Sequence, residues 1–194
     1  MRRKMKVNSE MKQEYVISSE TIVVLPDYNE NGFLNSLICK KEGITKAALS
    51  PFNLIDTNLR FRGSSMRGAL DGARAILDKQ NMNPVILDKE RDIILFPCRS
   101  PFREDCVWLS LRHVKRYEKA GASHTRVELS NDSTIILDVS LHTFSKKIQR
   151  AYELRYKMQA QTLQFEGKVM EMGISYHVMK NVEGMNYEVD GLVE

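Results

Sequence analysis

Cysteine is scarce. Cys39, Cys98 and Cys106 are the three in 194 residues, and no two form a C-x-x-C pair. An odd, unpaired set excludes a disulfide framework and offers no zinc ligands at the usual spacing. Histidine is as thin. His113, His124, His142 and His177 are scattered, with no H-x-x-x-H pair, so no metal and no cofactor is expected. Long apolar runs are missing too. Nothing approaches the roughly 20 residues of a membrane helix. The basic start, with Arg2, Arg3, Lys4 and Lys6, is not followed by the apolar core of a secretory signal. These absences predict a cytoplasmic protein without a membrane partner.

What is there is globular. Hydrophobic residues make up 42% and charged residues 28%, a composition that supports one buried core rather than disorder. The net charge of +4 and pI near 8.9 admit a polyanionic partner without requiring one.

Turn signals divide the chain. Residues 1–13 carry Arg2, Arg3, Lys4, Lys6 and Lys12 against Glu10 and are expected to be a flexible basic arm. Ile22 to Leu25 is rich in β-branched residues, and the strand is expected to stop at Pro26. Asn31-Gly32 then favours a hairpin into FLNSLICKK. Ser50-Pro51 opens a helix, since serine caps and proline fits the first helical position. Phe52, Leu54, Ile55 and Leu59 recur at helical spacing, and Gly63 is the stop. A second helix restarts from Ser64 or Ser65, although Gly68 and Gly72 weaken it. PVILD and DIILFP predict two strands around the charged KERD turn. In VWLSLRHVKRYE, Val107, Leu109 and Leu111 alternate with Trp108 and Ser110, which predicts one strand. TRVELSNDSTIILDVS predicts a hairpin about Asn131-Asp132. Ser140 caps the clearest helix. Leu141, Phe144, Ile148, Ala151, Tyr152 and Met158 are assigned to its apolar face, and Lys146, Lys147, Arg150 and Lys157 to the opposite one. Arg155 falls on the apolar face, which predicts an internal pair with an acid or a carbonyl. Residues 166–194 are acidic and glycine-interrupted, a tail expected to be mobile or to fold on a partner.

The fold class expected is α+β: antiparallel strands, a helical pair in the first half, and a long amphipathic helix closing the domain. The chain divides into a basic arm at 1–13, a binding domain at 14–165 and the acidic tail at 166–194.

The chemistry turns on RFRGSSMRGALDGARAIL, residues 60–77. A nucleophile elbow needs G-x-S-x-G, but Arg67 stands in the last place and no histidine is paired with the serines. A P-loop needs Lys and Ser or Thr after its second glycine, but Ala69-Leu70 follow Gly68. Asp88, Asp92, Glu104 and Asp105 have no second feature that would make a general acid–base pair and suit turns. No enzyme is therefore expected. What remains is a glycine–hydroxyl–arginine turn before a helix N-terminus, which suits phosphate oxygens. The candidate DNA-binding residues are Arg60, Arg62, Ser64, Ser65, Arg67 and Arg74 here, with Lys146, Lys147, Arg150 and Lys157 on the long helix.

From TIVVLP to ELRYKM the chain resembles the ComK family. The resemblance rests on TIVVLP, RFRGSS with RG shortly after, NPVILD, ILFP, the C-V-W-L step at Cys106 to Leu109, HVK, VELSNDSTIILDVS and RAYELRYKM. It implies a competence transcription activator without enzymatic activity. Such a protein binds AT-rich boxes in double-stranded DNA as paired dimers, largely through backbone and minor-groove contacts. A narrow, negative A-tract groove attracts inserted Arg and Lys, and no helix-turn-helix pattern is evident. The family is also controlled by a protease adaptor, MecA. The tail after Met158 lacks a clear match to the aromatic–proline motif by which family members bind that adaptor, so a MecA-like partner is an expectation of the resemblance alone. The expected partners are AT-rich promoters and a second copy, as a homodimer or dimer of dimers. The alternative from another class is a protein–protein regulator, a diverged paralogue that keeps the fold without binding DNA.

Overall fold

The computed structural model describes residues 15–78, 81–169, 177–180 and 187–190. The basic arm at 1–13 lies outside the described residues, as does most of the tail at 166–194. Two compact units divide the chain, Met1–Met158 and Gln159–Glu194.

In the first unit, β1 (Thr21–Tyr28), β2 (Leu34–Lys40) and β3 (Gly43–Ala47) form a meander. Two helices follow, α1 (Pro51–Phe61) and α2 (Met66–Leu77). Then come β4 (Val85–Asp88), β5 (Ile93–Pro97) and β6 (Trp108–Ser110). All six strands join one antiparallel sheet in the order β3-β2-β1-β6-β5-β4. A second antiparallel sheet holds β7 (Val114–Lys119), β8 (Thr125–Leu129) and β9 (Thr134–Leu137) in that order. The helix α3 runs from Leu141 to Val169. Among the described residues of the second unit, β10 (His177–Lys180) and β11 (Tyr187–Asp190) pair antiparallel. The chain is α+β, as its sequence indicates.

The centre of the large sheet is buried on both faces. In β5, Ile93 and Leu95 join one apolar cluster with Leu54, Ile55 and Leu59 of α1. Ile94 and Phe96 join the other, with Val127, Leu129, Phe144 and Ile148. This is why IILF shows no polar alternation: both sides of the pleat are inside. Each such side chain, fully buried, stabilises the fold by about 1.5–3 kcal/mol.

The helices start and stop where the chemistry requires. Ser50 Oγ accepts from Asn53 N at 3.3 Å, and Ser65 Oγ accepts from Gly68 N at 3.1 Å. Gly63, at φ 77°, takes the left-handed turn between them. α2 continues through Gly68 and Gly72, so packing overrides their low propensity. Ser140 caps α3 through Thr143 N at 3.3 Å.

Two strand expectations fail. β1 runs past Pro26, which pairs with Ser36 of β2. Proline is tolerated because β6 pairs with β1 only at Val23 and Val24, so the other side of Pro26 is an open edge. The expected strand from Val107 onward breaks after Ser110. A single 3₁₀ turn, Leu111–His113, carries the chain into the second sheet. His113 pins this crossing. Its Nε2 lies 2.7 Å from the Ser19 carbonyl and its Nδ1 2.6 Å from Ser130 Oγ. A carbonyl can only accept, so Nε2 donates and, in the neutral ring, Nδ1 accepts the Ser130 hydroxyl proton.

Candidate nucleic-acid interface

The corner between α1 and α2 is already supplied with protein oxygens. Ser65 occupies the amide of Gly68. Asp56 Oδ1 accepts from Met66 N at 2.7 Å, and its other oxygen binds Arg60 Nε at 2.7 Å. A carboxylate thus sits at the helix start, where a phosphate would otherwise be favoured. Ser64 is exposed. Arg67 is 93% exposed and only loosely tied to Asp71, at 3.8 Å.

Arg62 points inward. Its Nη2 donates to Ile17 O at 2.8 Å, and its Nη1 to Asn58 O at 3.0 Å and Asn58 Oδ1 at 3.3 Å. Asp88 lies 3.9 Å from its Nε. Burial lowers its pKa, and the Asp88 charge opposes that. Asn58 is fully buried and takes Ile17 N on the same Oδ1, at 2.9 Å. Arg62 therefore joins the segment before β1 to α1, while Arg60 and Arg67 of the same corner stay exposed.

Five of the other candidates lie on two helices that pack against each other, α2 and α3. Ala73 and Leu77 of α2 pack against Leu154 of α3, with Ile76, Ile86 and Met158 around them. Arg150 donates to Asn81 O at 3.1 Å. Lys157 donates to Ile76 O at 3.2 Å and pairs with Glu153 at 2.8 Å. Arg74 pairs with Asp71 at 2.7 Å. Lys146 is exposed on the same helix as Arg150. The candidates Arg67, Arg74, Lys146, Arg150 and Lys157 thus belong to two adjoining helices. These contacts span up to 81 residues of sequence, which no local pattern signals.

Lys147 departs from its expected place on the polar side. It is 4% exposed, and its ammonium donates to Met82 Sδ at 3.4 Å. It stands three residues beyond Phe144, about 60° round the helix. That places it inside the buried stripe of Phe144, Ile148, Ala151 and Leu154. Tyr152, assigned to that stripe, is exposed instead. Desolvation lowers the Lys147 pKa.

The carboxylates considered for catalysis are held in ion pairs and turns. Asp105 bonds Arg103 and Arg99, and the Arg103 hydrogen bond helps bring its pKa to about 2. Asp88 caps the turn at Arg91 N and pairs with that side chain. Asp92 pairs with Arg155 at 2.8 Å, and Glu104 accepts from the Tyr28 hydroxyl at 2.8 Å. Burial raises the Cys98 thiol strongly and lifts Cys106 to about 11. Among the described residues, no three His, Cys, Asp or Glu side chains cluster to hold a metal, and no helix is long and apolar enough to cross a membrane.

The described geometry is that of an α+β domain with basic side chains on α2 and α3, two helices that pack against each other. The chain belongs to the ComK family: the family model described as "ComK protein" matches residues 12–163. A curated relative, the competence transcription factor of Bacillus subtilis (strain 168), is 31% identical over 147 residues, 76% of each chain. No solved structure matches the chain.

Proposed function

We propose that this protein is a non-enzymatic transcription activator of competence genes that binds AT-rich boxes in double-stranded DNA, largely through backbone and minor-groove contacts. The observation that carries the reading is the α2–α3 packing, whose two helices carry Arg74, Arg150 and Lys157 and the exposed Arg67 and Lys146. Asp71 and Glu153 neutralise part of that charge, but a phosphate oxygen can replace a surface carboxylate at small cost, because exposed pairs are worth about 0–1 kcal/mol. Arg62 and Lys147 belong to the scaffold in this reading, and Arg60 is secondary.

Self-association is assigned to the free edge of β9. The sheet edges β4 and β7 carry register shifts, β7 adds a run of charges, and the edge strand β3 carries Lys46. β9, Thr-Ile-Ile-Leu, has neither protection, and Ile136 is exposed. The basic arm at 1–13 adds attraction to phosphates in the same scheme, and the acidic tail at 166–194 opposes it.

The test is a salt titration against a duplex with paired A/T boxes, with GC-rich competitor present. The double variant Arg74→Ala/Arg150→Ala should lower the slope of log K against log salt by roughly two, at about 0.9 per lost phosphate contact. An unchanged slope in a folded double variant would remove the seam from the interface. Absence of salt-dependent binding by the unmodified protein would favour the protein–protein regulator.

A further inference from the structure

Beside the seam lies a cavity of about 340 Å³. Leu70 and Arg74 of α2, the Asn81–Asn83 loop, and the turn Ser100-Pro101-Phe102 line it. The same loop receives Arg150 at Asn81 O and Lys147 at Met82 Sδ. Phe102 thus stands on the rim of the cationic surface rather than remote from it. The residue is 73% exposed, on a turn that also carries Arg99, Arg103, Glu104 and Asp105.

The turn is held still. Arg103 N donates to Ser100 O at 3.0 Å, and Cys106 N to Arg103 O at 3.2 Å. Arg99 and Arg103 both clasp Asp105, at 2.6 and 2.7 Å, and Arg99 also binds Asp138. Phe52 of α1 backs the Phe102 ring, with centroids 5.4 Å apart. An exposed aromatic ring that follows a proline, on a braced turn beside cations, has what a base-step wedge needs. Cations hold the phosphates, and the rigid apolar tip pushes between adjacent bases without being reordered on contact.

We propose that Phe102 is such a wedge: it inserts between adjacent base pairs of AT-rich DNA held by the α2–α3 seam, unstacks that step and kinks the duplex. The inference rests on the DNA-binding reading above. Flexible steps such as TA yield to a wedge at least cost, so Phe102 favours sites containing them without a hydrogen bond to any base.

The test uses the full chain and a short duplex with paired A/T boxes, 2-aminopurine at successive positions, and a donor–acceptor dye pair at its ends. The unmodified protein should raise 2-aminopurine fluorescence at one step of each bound site and shorten the end-to-end distance. Phe102→Ala should abolish both signals and weaken binding about tenfold, while the salt slope stays unchanged because no cation is lost. Phe102→Leu, which keeps an apolar tip, should retain both signals. Thermal melts of the free variants should match the parent, since the ring is mostly outside the core. Kinking and unstacking that persist in Phe102→Ala would overturn the wedge, as would an unmodified protein that binds the duplex without either signal. Loss of both signals in Phe102→Leu as well would assign the effect to the Phe52 contact and also overturn it. Failure of the unmodified protein to bind any duplex would instead remove the DNA reading, and the wedge with it.

Discussion

Replacing Arg62 with Ala removes a strut rather than a phosphate ligand. The guanidinium donates at 2.8 Å to Ile17 O and at 3.0 and 3.3 Å to two oxygens of Asn58. Hydrogen bonds from charged donors are worth about 1.5–3 kcal/mol each. The sum is smaller, because the side chain is 20% exposed and water can reach part of what it leaves. The Ile17 carbonyl belongs to a residue with no exposure at all, so its acceptor is the one stranded. Asn58 Oδ1 keeps its bond from Ile17 N, and Asp88 keeps Arg91. The expected loss is therefore about 2–3 kcal/mol, or roughly 5–10 °C in Tm for a chain of this size. Urea unfolding followed by the fluorescence of Trp108, the one tryptophan and fully buried, measures it directly. Arg67→Ala, the exposed control, should stay within about 0.5 kcal/mol. The DNA salt slope of Arg62→Ala should equal that of the unmodified protein. Native stability with a slope reduced by about one would refute the reasoning and return Arg62 to the phosphate-binding corner.

Arg155→Ala breaks the 2.8 Å pair with Asp92, but the two side chains are 37% and 28% exposed. The loss should be about 1 kcal/mol by chemical denaturation, and a loss above 3 kcal/mol would show that the pair acts as a buried one. Lys147→Met removes a buried ammonium that has a thioether as hydrogen-bond partner and should leave stability equal or raise it by about 1 kcal/mol; a clear destabilisation in the same assay would contradict that. The fold holds His113 neutral, and burial lowers its pKa below 6.5, with Arg112 and Lys41 acting in the same direction. A depressed folded pKa means the contribution is intact above the unfolded value and is lost as pH falls through and below it. The Tm of the unmodified protein should therefore drop more steeply below about pH 6.5 than that of His113→Gln, and parallel curves would exclude His113 as the cause.

Much of the fold is legible in the residues because its signals are local. Ser50-Pro51, Ser65 and Ser140 cap helices where their side chains say they should. Asp132, at φ 62°, turns the β8–β9 hairpin. β3 has no comparable signature, since GITKA mixes glycine, lysine and apolar residues and draws its pairing from β2 alone. The break at Leu111 was hidden for a different reason. Alternation reports which face a residue takes, not which sheet the strand belongs to. Lys147 reads as polar by its chemistry, but helical phase puts it with Phe144 and Ala151, where it is buried. Both basic segments can be seen in the sequence, but their meeting depends on Arg150 reaching Asn81 across 69 positions. The inward turn of Arg62 depends on Ile17, 45 positions earlier.

The placing of β6 has a consequence for how the chain comes to be folded. This strand is three residues long, yet it joins the β3-β2-β1 half of the large sheet to the β5-β4 half. Each half is made of hairpins between sequence neighbours and can form as soon as it is synthesised. Neither can be closed until Trp108, Leu109 and Ser110 arrive. During that interval β1 and β5 present open, apolar edges, the surfaces most prone to pairing with other chains. Joining them requires contacts between positions more than 80 residues apart, at Val23–Leu109 and Val24–Trp108, and non-local closure of that kind is the slow step in assembling a sheet. A polypeptide halted before residue 108 is thus two half-sheets without a keystone, a better substrate for chaperones and proteases than for folding.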